Sequence, residues 1–167
     1  ISTQSISASN FFTNSRTTVQ AEESILCSTL DFASNSPYAV KKGAFNGDCL
    51  PKILLRNGYK TFWYHGNTKD FFNRKVFHPS LGFTNLYSKE NFLEDGYNEA
   101  NDIGWGVPDK IAFDKMLEDM ITYDKTSNNP FFTELLKLTN NQPFLCNYKN
   151  TKFPNKSQKE PEQKQTP

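Results

Sequence analysis

One short stretch, His65-Gly66-Asn67-Thr68-Lys69-Asp70-Phe71-Phe72-Asn73-Arg74, places an imidazole, a flexible Gly-Asn turn and a guanidinium close together. A guanidinium can hold a phosphate through two parallel N–H bonds, and an imidazole adds a hydrogen bond that pH can tune. The bland alternatives are a core imidazole for His65 and a solvated helix charge for Arg74. A second group, Arg16-Thr17-Thr18-Val19-Gln20-Ala21-Glu22, puts hydroxyls where a helix begins. Backbone N–H groups at a helix start favour an anion, and a threonine alkoxide beside a divalent metal could attack phosphorus and become a phosphothreonine. The competing reading is an ordinary N-cap.

These groups need elements to position them. Residues Thr18 to Leu26 have a helical pattern, with Ala21, Ile25 and Leu26 on one side. A second helix is expected from Cys49 to Arg56, capped by Asp48, with Pro51 in its first turn and Asn57-Gly58 ending it. Lys60 to Tyr64 reads as a strand, and it delivers His65 to a strand-to-helix connection, where ligands collect in open α/β sheets. Asp70 is expected to cap Phe71 to Phe77, with His78-Pro79 closing that turn and Leu81 to Tyr87 giving a strand and its approach. Pro108 opens the clearest helix, whose broad apolar stripe is Ile111, Phe113, Met116, Leu117, Met120 and Ile121. Phe131 to Leu138 fits strand or helix by period; strand is the choice, because Thr139-Asn-Asn-Gln-Pro143 then loops at the sheet's carboxyl edge. Helices interleaved with short strands indicate an α/β fold.

At 167 residues the chain is the size of one domain. Fifteen Phe supply core material, yet the hydrophobic fraction is 36% and the mean hydropathy −0.69, so part of the chain is solvated. A net charge of +1 argues against a nucleic-acid partner. No window approaches the roughly 18 apolar residues of a membrane span, and no secretory leader pattern opens the chain. The polar start, Ile1 to Asn10 without an initiator Met, reads as a fragment or processed product. Residues 150–167, rich in Lys, Gln, Glu and Pro, read as a disordered tail after a partial domain of residues 1–149. Cys27, Cys49 and Cys146 fit neither a zinc site nor a Cys-x-x-Cys motif; a Cys27–Cys49 bridge and free buried thiols both suit the sequence.

The His65-Gly66-Asn67…Phe71-Phe72-Asn73-Arg74 segment resembles the His-Gly-Asn…Phe-Trp-Asn-Arg segment of the lipoteichoic acid synthases and related phosphoglycerol transferases, in the sulfatase and alkaline phosphatase superfamily. Three further patches follow in the same order: the Arg-x-Thr…Leu-Cys run, Gly104-Trp105-Gly106-Val107-Pro108-Asp109, and Leu138-Thr139-Asn140-Asn141-Gln142-Pro143-Phe144. The resemblance covers roughly residues 10 to 145. It implies a partial alkaline phosphatase-like α/β/α sandwich. It implies Thr18 as nucleophile and metal ligand, with Thr17 as the close alternative, and His65, Phe72, Arg74 and Asn141 as contacts to a phosphoglycerol head group. It also favours the Cys27–Cys49 bridge, and with it an oxidising compartment.

The chain departs from the family pattern in ways that carry chemistry. Phe72 replaces the usual Trp and loses the indole donor, and Asn141 stands where a histidine meets the phosphate. Outside the resemblance, Trp105 reads as a core anchor and Asp109 as a complement to the helix dipole. The family's metal (manganese, magnesium or zinc) needs an acidic residue from an N-terminal strand and a late Asp-His pair, and neither motif is present. The expectation is therefore a phosphoglycerol transferase- or phosphodiesterase-like domain, incomplete and inactive alone. The alternative is a non-catalytic domain binding a phosphorylated polyol, a lipid head group or an envelope partner. The resemblance implies an extracytoplasmic location, with any membrane attachment through segments outside this chain.

Overall fold

The computed structural model describes Asn10 and residues 17–29 and 45–141. The tail expected at residues 150–167, the family-like residues after Asn141, and Arg16 lie outside them. Among the described residues the elements run α1 (Thr18–Cys27), α2 (Leu50–Arg56), β1 (Lys60–His65), a 3-10 turn (Phe71–Asn73), α3 (Arg74–Leu81), β2 (Asn85–Tyr87), α4 (Lys89–Glu94), a 3-10 turn (Glu99–Asn101), α5 (Asp109–Thr126) and β3 (Phe131–Leu136).

The three strands form one parallel sheet in the order β2-β1-β3. Alternate residues of a strand face opposite sides, so the register Thr61↔Phe132, Trp63↔Glu134, His65↔Leu136 puts these six on one face. That face packs against α1 and α3 through Val19, Leu26, Trp63, Phe77, Leu81 and Phe83. On the other face Phe62 meets Tyr123 edge-on at 5.3 Å, and the Tyr64 hydroxyl donates to Asp119 Oδ2 at 3.0 Å, both partners on α5. Helices thus cover both faces, as parallel sheets require. No helix among the described residues is long and apolar enough to cross a membrane.

A disulfide joins Cys27, the last residue of α1, to Cys49, the N-cap of α2. Closing a loop of that length removes about 3 kcal/mol of denatured-state entropy in the chain-entropy model. At the end of β1 two close approaches require glycine. A Cβ on Gly66 would lie 2.4 Å from the Val107 carbonyl oxygen, and one on Gly106 would lie 2.3 Å from the Gly66 oxygen. The Val107 N–H donates to that Gly66 oxygen at 2.9 Å, tying the loop of Trp105 to the end of β1.

Several local expectations are corrected. Cys49, not Asp48, caps α2, and Asp48 instead pairs with Arg56 at 3.0 Å. Asp70 stands at the N-cap of the short Phe71–Asn73 turn only and makes no side-chain cap bond, because Phe72 and Asn73 both take left-handed backbone (φ 55° and 54°) and split the expected helix; its carboxylate meets Lys75 at 2.7 Å. His78-Pro79 does not stop α3. His78 is fully buried and hydrogen-bonded to Glu22, which holds it helical, and the helix ends instead on Gly82 at φ 106°. Leu81 accordingly belongs to α3, and β2 begins only at Asn85. In the α5 stripe Met120 is buried, but Ile111, Phe113, Leu117 and Ile121 are exposed.

Candidate functional site

Parallel β1 and β3 end side by side at His65 and Leu136, so their carboxyl edge opens beside the start of α1. A cleft of about 330 Å³ lies there, and its lining includes Thr18, His65, Phe72, Arg74 and Asn141. All five residues singled out from the sequence therefore share one cavity, although they come from α1, β1, α3 and two connections.

Thr17 is the N-cap of α1. The Gln20 side chain reaches back and accepts from both the Thr17 N–H (3.2 Å) and its hydroxyl (2.9 Å). That occupies Thr17 in helix capping. Thr18, the next residue, is exposed, and its hydroxyl has no hydrogen-bond partner among the described residues. Of the two candidate nucleophiles, Thr18 has the available oxygen, at a helix N-terminus whose dipole favours an anion.

His65 is 2% exposed, and its Nδ1–H donates to the Leu136 carbonyl at 3.0 Å. Burial first, then the Arg74 charge, hold its pKa down to about 4, only partly offset by the Leu136 bond. The ring is therefore neutral, and Nε2, buried without a partner, presents a lone pair. Such a nitrogen accepts an O–H, as from a polyol hydroxyl, rather than donating to a phosphate oxygen.

Arg74 is 1% exposed. One Nη donates to Glu22 Oε2 at 3.3 Å and the other to the Phe71 carbonyl at 3.4 Å, while Nε has no partner. The guanidinium also packs over the rings of Phe72 (5.4 Å) and Trp63 (5.9 Å). Glu22 is shared with His78, whose Nε2–H donates to Oε1 at 3.0 Å. Burial works to raise the Glu22 pKa, but His78, Arg74 and His65 together outweigh it and hold the carboxyl below its usual range. Beneath them Glu134, opposite Trp63 in register, has no partner for Oε2; burial, then the charge of Glu22, push its pKa up to about 8.

Sequence reasoning missed several cleft residues. Trp105 is a correction: it is 47% exposed and lines the cleft, and Phe71 meets it at 5.6 Å, where a core anchor was expected. Lys137 also lines the cleft; the expected strand ran through it to Leu138, whereas β3 ends at Leu136 and leaves Lys137 just beyond the carboxyl edge. Asp109 does more than complement a dipole. Its carboxylate accepts the Leu138 N–H at 2.6 Å and the Thr139 N–H at 3.1 Å, clasping the loop that carries Asn141. Among the described residues no three His, Cys, Asp or Glu side chains gather as a metal site, so those present do not fit the divalent metal that the sequence resemblance implies.

The protein-family model described as Sulfatase matches residues 1–166. The chain belongs to the sulfatase family. Among sulfatase-family relatives, the lipoteichoic acid synthase of Staphylococcus aureus (strain USA300) is 31% identical over 123 residues, covering 69% of this chain and 18% of that protein. The chain thus spans less than a fifth of the length of that relative. The crystal structure of the lipoteichoic acid synthase LtaP from Listeria monocytogenes superposes with a TM-score of 0.70 at 27% identity, over 80% of this chain and 31% of that one. A protein of the alkaline phosphatase superfamily from Vibrio parahaemolyticus gives a TM-score of 0.63 at 23% identity, over 81% of this chain and 32% of that one, a likeness of fold.

Proposed function

We propose that this chain carries the head-group side of a phosphoglycerol-transferase pocket, acting on glycerophosphate groups of the cell envelope outside the cytoplasmic membrane. The observation that carries this reading is the convergence of Thr18, His65, Phe72, Arg74 and Asn141 on one cleft. In it the neutral His65 Nε2 accepts a glycerol hydroxyl, Arg74 donates from Nε, and Phe72 offers an apolar face to the carbon backbone. Thr18, at the start of α1, presents its hydroxyl oxygen to phosphorus. The Cys27–Cys49 bridge supports an oxidising compartment.

A second reading, a non-catalytic module for a phosphorylated polyol, is favoured by the amide at Asn141 and by the lack of a metal cluster among the described residues. Both readings require binding, which calorimetry with glycerol phosphate measures. Saturable binding that weakens in His65→Asn is expected, and a cooperatively folded chain that binds nothing overturns both. Turnover is the second readout: binding without turnover is what this composition of the cleft predicts, and hydrolysis of a glycerophosphodiester by the chain with Mn²⁺, lost in Thr18→Ala, excludes both the module and an incomplete site.

A further inference from the structure

We propose that Lys137 is the cation that holds the ligand's phosphate in this cleft, and that Asp109 is the residue that positions it. The inference rests on the reading that the cleft takes a phosphate.

A phosphate needs positive charge that the protein has not already neutralised. Among the described residues lining the cleft, the cations are Arg74 and Lys137. Arg74 is buried against the Glu22 carboxylate at 3.3 Å, so the pair turns no net charge toward a ligand. His65 donates its Nδ1–H to Leu136, leaving only the buried Nε2 acceptor, and Asn141 has no charge to offer. Lys137 is exposed and has no ion-pair or hydrogen-bond partner among the described residues.

Its backbone is held on both sides. Residue 136 is the last to pair with β1, through His65↔Leu136. Immediately beyond, Leu138 N–H and Thr139 N–H donate to the two oxygens of Asp109, and the Asp109 N–H donates back to the Thr139 hydroxyl at 3.4 Å. Lys137 is therefore the single residue between the sheet ladder and this clasp. A lysine on so short a span delivers a point charge to the cleft, while Arg74 contributes a directional N–H.

Titration with inorganic phosphate and with glycerol phosphate at low and high salt tests this. The wild-type chain binds, and more weakly as salt rises. Lys137→Met weakens binding by about ten- to a hundredfold, the range for a charged hydrogen bond, and removes most of the salt dependence. Lys137→Arg retains both. Asp109→Asn weakens binding by itself but adds little in the Lys137→Met background, because both act through one ammonium. Should Asp109→Asn fail to fold, Thr139→Val loosens the same clasp. Unchanged affinity and salt dependence in Lys137→Met overturn the proposal while the head-group reading stands. Additive effects of the two substitutions overturn the role of Asp109, and a wild-type chain that binds neither ligand overturns the head-group reading as well.

Discussion

Two adjacent threonines with the same side chain have different work at the start of α1. Both line the cleft, but Thr17 closes the helix end with Gln20, whereas the Thr18 hydroxyl has no partner among the described residues. Thr17→Ala should therefore cost about 1 kcal/mol in urea unfolding, the usual worth of an N-cap, while Thr18→Ala should stay within about 0.5 kcal/mol. Equal losses at both would mean that Thr18 serves the helix. The sequence showed two hydroxyls at a helix start but not the register of the cap, which is one residue wide and set by where Gln20 can reach. His65 and Arg74 were legible as types, but their states were not. The neutral tautomer of His65 and the pairing of Arg74 depend on Leu136 and Glu22, 71 and 52 residues away.

At the scale of elements, β1, α1, α3 and β3 bury a polar cluster under the cleft: Glu22, His65, Arg74, His78 and Glu134. Glu134 is the signal that sequence reasoning passed over, a carboxyl in the middle of Phe-Phe-Thr-Glu-Leu-Leu. Its folded pKa of about 8 lies above the ordinary value of 4.5, so the folded chain binds a proton there that the unfolded chain has lost. That contribution is complete below the unfolded pKa and fades as pH rises towards 8. His65 works the other way, with a folded pKa of about 4 against 6.5, so its contribution is complete above 6.5 and lost as pH falls towards 4. Between pH 6.5 and 8 the Glu134 effect stands apart. Stability should fall by up to about 2 kcal/mol across that window, and Glu134→Gln should flatten the slope. A wild-type chain equally stable at both ends would show that Glu134 is ionised in the fold. The strands and α5 were readable from period and punctuation. The break between the Phe71–Asn73 turn and α3 was not, because Phe72 at positive φ goes against its residue type, even though Asn73 beside it is of a kind that tolerates that backbone.

At the scale of the molecule, the described residues form a three-stranded parallel sheet with helices on both faces, a disulfide between α1 and α2, and a cleft at the carboxyl edge. The α/β class was legible from alternating elements, and the family from four motifs in order. The exposed Phe113, Leu117 and Ile121 on α5 were not, since a stripe records what can be buried rather than what covers it. The central claim is that residues far apart in the chain form one phosphate-ester site. Backbone and side-chain NMR of the oxidised chain during titration with glycerol phosphate tests it most directly. The account predicts that signals of Thr18, His65, Phe72, Arg74, Lys137 and Asn141 shift together along one saturation curve, with α5 beyond Met120 unmoved. Shifts absent from these six, or centred elsewhere on the molecule, would contradict it.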